Sequence, residues 1–326
     1  MPANVTPQYE KAEQRYREAA TDPERLEALR EMYSTLPKHK GTEKMQADIK
    51  RRISQLSKAM ATKGPSKGQD VFHVPRGGAG QVLLLGPPNV GKSHLVATTT
   101  NAPVKVADYP FTTTLPTPGM WPYEDVQIQL VDTPPVTAEH MPAGLMGTVN
   151  ASDIIAVVVD ASADLLEQAE MVLNLLTGRG LVLRSLPRHQ LDAQDPRQRS
   201  GLIVANKVDL APAGSVLALR ELYGDRLEVL AVSAATGEGL DVLAKKLWAL
   251  LAVVRVYTKE PGRGPDRDKP YTLPAGSTLT DLARKIHREL PEKMKFARVW
   301  GDGRFSGQQV HRAEPLRDKD VVEIHE

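Results

Sequence analysis

The stretch Gly86-Pro87-Pro88-Asn89-Val90-Gly91-Lys92-Ser93 spaces two glycines by four residues and follows them with a lysine and a hydroxyl. Glycines let successive backbone N–H groups curl around a phosphate chain, the ammonium reaches its terminal oxygens, and the serine oxygen suits Mg²⁺. An apolar run, QVLLL, precedes the loop and HLVATTT follows it, which is the strand and helix context such a cradle requires. A glycine-rich turn with an exposed lysine is the weaker reading. His94 closes the run and is grouped with it for nucleotide contact, although a histidine there also suits a helix surface.

A second constellation, Asn206-Lys207-Val208-Asp209, lies just past the apolar run GLIVA. A carboxylate at Asp209 can accept hydrogen bonds from the N1 and 2-amino protons of guanine, and adenine has no matching donor pair, so one side chain can set the base preference. Ser233-Ala234 follows the run LEVLAV and would cover the same ring from the other side. Between the two constellations, VQIQLVD delivers Asp132 to the end of a further apolar run and stops at Pro134 and Pro135. A strand-terminal aspartate there suits Mg²⁺ held jointly with Ser93 and a threonine from DYPFTTTLPTPG, for which Thr113 is the choice, Thr112 the next, and Thr114 the least favoured.

These residues need a scaffold that brings strand ends together. QVLLLG, VQIQLVD, DIIAVVVD, GLIVAN and LEVLAVS are short, mainly apolar runs, and most precede helical segments such as ADLLEQAEMVLNLL and GLDVLAKKLWALL. That alternation predicts a doubly wound α/β fold with a mainly parallel sheet, whose ligands sit beyond the carboxyl ends of the strands. Residues 80–252 form this central domain. Residues 1–79 predict a helical hairpin and linker, with one arm over 7–36 broken at TDPE. The second arm carries Met45, Ile49, Ile53, Leu56 and Met60 as one apolar stripe. Residues 253–326 predict strand pairs around the helix LTDLARKIHREL, a small α+β unit. SLPRHQLDAQDPRQRSG, 185–201, predicts a loop of low order, and Trp300 and Phe305 are assigned to the core of the last unit rather than to stacking on RNA bases.

Composition narrows the function classes. The 326 residues hold no cysteine, so disulfides, thiolate metal sites and cysteine nucleophiles are excluded, and the eight histidines lack metal-ligand spacing. No apolar stretch approaches the length of a membrane span, and the charged start is unlike a signal peptide, so a soluble cytoplasmic protein is expected. Residues 1–79 carry 15 Lys+Arg against 10 Asp+Glu, residues 80–252 carry 12 against 18, and residues 253–326 carry 15 against 12. Two basic flanks around an acidic centre suit an anionic partner such as RNA, with solvated helix surface as the plain alternative.

In this order the motifs resemble the P-loop GTPases of the Obg and DRG type, over roughly residues 81–326. DYPFTTTLPTPG is similar to that group's first switch, NLLTGRGLVLRSLP to the DRG approach to its inserted domain, and VRVYTKEPGRGPDRDKPYTLPAGSTLTDLARKIHREL, KFARVWG and DVVEIH to a β-grasp TGS domain. The resemblance implies a Mg²⁺-dependent GTPase that cleaves GTP to GDP and phosphate slowly and switches residues 109–120 and 133–147. Ribosome or structured RNA is the implied partner, with neither membrane nor DNA expected. It also implies K⁺ as a second cation, held by Asn89. The departures are a short segment, 178–200, in place of the inserted domain, Pro135 where the family has a glycine N–H for the γ-phosphate, and Val136, which cannot orient water. They leave open a guanine-nucleotide-binding module that hydrolyses nothing, and a GTPase whose partner is protein.

Overall fold

The computed structural model describes residues 7–18, 22–36, 42, 45–46, 48–53, 72–100, 115–142, 144–303 and 305–325. It divides into two compact units, Met1–Asp70 and Val71–Glu326. In the first, the helices Pro7–Glu18 and Asp22–Thr35 meet around Tyr9, Ala12, Leu29 and Met32. Met45, Ile49 and Ile53 of the third helical stretch join that cluster, so the stripe is apolar for a packing reason; Leu56 and Met60 lie outside the described residues.

The second unit is built on two sheets. The larger has the order β2 (Thr117–Tyr123), β3 (Val126–Asp132), β1 (Gln81–Leu85), β4 (Ile154–Asp160), β6 (Gln198–Asn206), β5 (Val182–Arg184), with β7 (Val229–Ala231) also paired to β6. Every pairing is parallel except β2 with β3. β1 and β4 are buried along their length, as strands covered on both faces must be, and apolar clusters lie on each side of the sheet. The chain leaves β1 for β3 on one side and returns to β4 on the other, so the crevice beyond β1 and β3 is the topological switch point.

Three features depart from the sequence reading. β2, TPGMWPY, carries Pro118 and Pro122 and occupies 117–120, part of the segment assigned to the first switch; prolines are tolerated because β2 is an edge strand. Residues 185–201 are not a structureless loop: Arg188–Gln190 form a 3₁₀ turn, the Asp192 N–H donates to Gln198 Oε1, and β6 already begins at Gln198. The linker residues 72–80 pack on the sheet, with Val74 buried and the Ala79 N–H donating to the Gln127 carbonyl at 2.7 Å.

The smaller sheet has the order β11 (Gln308–Val310), β10 (Phe296–Trp300), β12 (Asp320–His325), β8 (Val253–Thr258), β9 (Asp266–Pro274). The helix Leu279–Ile286, opened by a Thr278–Asp281 capping box, covers one face with Leu279, Leu282 and Ala283 in the core. Phe305 is 84% exposed and Trp300 lies on the face away from this core, so neither fills it. Alternation along β10 puts Ala297 and Val299 inward and Phe296, Arg298 and Trp300 outward.

Candidate functional site

The turn after β1 is shaped by two close approaches. A Cβ on Gly86 would lie 2.2 Å from the Val158 carbonyl oxygen, and one on Gly91 would lie 2.4 Å from Asn206 Nδ2, with φ of Gly91 at +87°. Between them Asn89 also takes a positive φ, 63°, Val90 is buried, and Pro87 and Pro88 lead into the turn. The helix Lys92–Thr99 starts at once, with its first N–H groups facing the loop.

Lys92 is 7% exposed and its Nζ donates to the carbonyls of Gly86 at 2.9 Å and Pro87 at 2.8 Å. Burial pushes its pKa down to about 8, opposed by the charge of Asp132. Ser93 Oγ donates to Asp132 Oδ2 at 2.5 Å, so the end of β3 and the start of the helix share one polar point. Beside it Thr133 is buried and donates to the Leu84 carbonyl at 2.7 Å, and the Val136 N–H donates to the Gly86 carbonyl at 3.2 Å. His94 is exposed on the helix and points no described contact at the loop.

Asn206 joins the two halves of the site. It is fully buried at the end of β6, where Nδ2 donates to the Val90 carbonyl at 2.9 Å and Oδ1 accepts the Ala234 N–H at 3.0 Å. Ala234 in turn offers its carbonyl to Thr98 Oγ1 at 2.9 Å, and Ser233 Oγ accepts the Thr236 N–H, closing the 233–237 turn. Lys207 sits at φ 64° with Nζ 2.5 Å from Asp160 Oδ2, and Asp209 is exposed in the 3₁₀ turn Val208–Leu210. Burial would raise the Asp160 pKa, but hydrogen bonds from Lys207 and Ser162 hold it below the usual carboxylate range.

All sequence-chosen residues within the described part therefore meet along one sheet edge, except His94; Thr112, Thr113 and Thr114 lie outside the described residues. Asp160, Thr98 and Thr133 also join the site, outside the motifs. IIAVVVD ends in an aspartate as VQIQLVD does, and that parallel was the available signal for Asp160. The arrangement can wrap a phosphate chain, meet it with a buried ammonium, and present an acceptor carboxylate to a flat ring.

Comparison with known proteins agrees. A model described as 50S ribosome-binding GTPase matches residues 81–184, and one described as TGS domain matches residues 254–326. An uncharacterised GTP-binding protein of Halobacterium salinarum is 30% identical, the match covering 92% of this chain and 98% of that protein. Developmentally-regulated G-protein 1 of Arabidopsis thaliana is 28% identical over 92% of this chain and 90% of its own.

The chain belongs to the DRG family of GTP-binding proteins.

Among solved structures, a GTP-binding protein of Pyrococcus horikoshii superposes with a TM-score of 0.51 at 17% identity, covering 75% of this chain and 99% of that one, a likeness of fold. As a DRG-family protein, this chain carries its P-loop GTPase fold with the TGS domain at the C-terminal end.

Proposed function

We propose that this protein is a Mg²⁺-dependent GTPase that cleaves GTP to GDP and phosphate and uses its nucleotide state to control docking to the ribosome in the cytoplasm. One observation carries the reading: buried Asn206 bonds both Val90 of the phosphate loop and Ala234 of the guanine turn, so the two constellations form one site.

Gly86–Ser93 would border the phosphates, and Lys92 would exchange the Gly86 and Pro87 carbonyls for phosphate oxygens. Asp209 would accept from guanine, Lys207 would lie along the ring with Asp160 holding it, and Ser233-Ala234 would close the far side. Ser93 Oγ and Asp132 Oδ2, two hard oxygens 2.5 Å apart at the loop mouth, fit Mg²⁺, which takes its remaining ligands from phosphate and water. Among the described residues no group of three or more His, Cys, Asp or Glu could hold a metal by itself, in keeping with an ion shared with the nucleotide. Thr113 would complete the set. When bound, Mg²⁺ neutralises charge on the transferring phosphate, and K⁺ at Asn89 would add to that.

Turnover by the isolated protein is slow in this reading. Pro134 and Pro135 have no N–H to offer the γ-phosphate, the Val136 N–H already serves the Gly86 carbonyl, and the Val136 side chain is fully buried. The same three residues favour a second reading, a binding module without hydrolysis. Single-turnover measurement with GTP, in K⁺ and in Na⁺, with and without ribosomes, separates them: phosphate release stimulated by ribosomes is expected, and none under any condition leaves the binding module. The ribosomal partner rests on the basic flanks and on the description of the matching family model. Co-sedimentation that weakens steeply with salt is expected, and salt-insensitive capture would favour a protein partner.

A further inference from the structure

At the end of the β2–β3 hairpin far from the phosphate loop, the chain makes a tight turn at Glu124-Asp125, with Glu124 at φ 50°. Arg255 of β8, in the TGS domain, meets that turn with its side chain 3% exposed. Its Nη1 donates to Asp125 Oδ1 at 2.8 Å and to Glu124, and Nη2 and Nε form a fork on Asp318 at 2.6 and 3.0 Å. The guanidinium lies 4.8 Å from the ring centre of Trp248, which also stacks on Tyr123 at 5.4 Å. Tyr257 donates to Asp125, and Lys319 Nζ is 3.2 Å from Glu124. All three residues of the tip, 123–125, are thus held at this joint.

The hairpin that ends there is a single paired unit from Thr117↔Asp132 to Tyr123↔Val126. Six residue steps at strand rise make it roughly 20 Å long. Asp132, bonded to Ser93, is at one end and Asp125 is at the other. β1 pairs only with Gln129 onward, so the tip overhangs β1 and is held by residues 78–79, by the packing of Trp121, Ile128 and Tyr123 beneath the sheet, and by the Arg255 joint. The paired hairpin is thus a continuous hydrogen-bonded path from the Arg255 joint to Asp132.

Resting on the nucleotide reading above, we propose that Arg255 is a positioning residue for the phosphate end of the site: by fixing the hairpin tip to the TGS domain it sets where Asp132 stands relative to Ser93. Domain docking and nucleotide affinity are then linked, and linkage runs both ways: whatever loosens the TGS domain weakens nucleotide binding, and nucleotide tightens the joint. Arginine is required because one planar fork serves three carboxylates at once, which a lysine point charge cannot do.

The test uses the full chain in three variants, Asp125→Asn, Arg255→Lys and Arg255→Met. Fluorescence titration gives the affinities for GDP and a non-hydrolysable GTP analogue and the Mg²⁺ concentration at half-saturation, and amide hydrogen exchange reports on β8. Expected are a loss of at least about fivefold in nucleotide affinity in Asp125→Asn, the low end of typical site-to-site coupling, and a higher Mg²⁺ half-point. Arg255→Lys should recover part of the loss seen in Arg255→Met, and in the wild type nucleotide should slow exchange in β8. Natively folded Asp125→Asn with wild-type affinities and Mg²⁺ half-point would overturn the proposal, and this variant decides the matter if Arg255→Met does not fold. Failure of the wild type itself to bind guanine nucleotide would instead overturn the functional reading.

Discussion

Gly91 and Asn206 are packed so closely that a methyl group on the first would lie 2.4 Å from Nδ2 of the second. The contact is the seam between the loop after β1 and the end of β6, since that same Nδ2 donates to the Val90 carbonyl.

Gly91→Ala therefore acts twice, through a φ of +87° and through displacement of Asn206. The left-handed backbone alone costs about 1 to 2 kcal/mol. Calorimetric titration should show GDP affinity falling by more than about tenfold, with the melting temperature lowered as well. Alanine at Gly237, whose Cβ would meet nothing within 4 Å, shares the positive φ and should lower stability alone.

Asp209→Asn tests base recognition. The carboxylate's two acceptors become one acceptor and one donor, which no longer match the guanine edge but do match a ring carrying a carbonyl at that edge. Hydrogen bonds to charged groups contribute about 1.5 to 3 kcal/mol, so GDP affinity should drop roughly 10- to 100-fold while xanthosine diphosphate binding rises. Competition binding measures both.

Pro135→Gly restores an N–H beside the phosphate loop. If that donor reaches the γ-phosphate, preference for a GTP analogue over GDP should rise by a similar factor, roughly 10-fold or more. The ratio of the two dissociation constants, measured on one preparation, reports it directly.

The joint at Arg255 makes an acid-stability prediction. Hydrogen bonds from Arg255 and Lys319 lower the Glu124 pKa, and those from Tyr257 and Arg255, against the rise from burial, hold Asp125 low; Asp318 is likewise held low against burial by Arg255. A depressed folded-state pKa gives stability that is present above the unfolded values, 4.5 for Glu and 3.8 for Asp, and lost as pH falls through the lower folded values. Urea midpoints of Arg255→Met should lie below wild type at pH 7, with the gap narrowing as pH falls below about 4.

Much of this architecture is legible in the sequence for a plain reason. β1 and β4, and β6 from Gly201 to Ala205, are buried on both faces, so each reads as an apolar run that ends where a polar site residue begins, and β3 reads nearly as clearly, interrupted by Gln127 and Gln129. β2 is hidden because an edge strand can carry Pro118 and Pro122, and β11, QQV, because it is short and polar. Gly86–Ser93 and Asn206-Lys207-Val208-Asp209 are local patterns, visible without the fold. The role of Arg255 is not: in VVRVYT it looks like a solvated face of a strand, and only the fold brings Asp125, 130 residues earlier, against it. Hydrophobicity alone does not say that Trp300 takes the outer face of β10, nor that Phe305 falls in the exposed loop between β10 and β11, so neither belongs to the core as expected.

The most direct test of the central claim is a calorimetric titration of the natively folded chain with GDP and with ADP in the presence of Mg²⁺. Saturable binding of GDP with a 1:1 stoichiometry and no detectable ADP binding is the predicted result. Equal affinity for the two, or heat from neither, would contradict it.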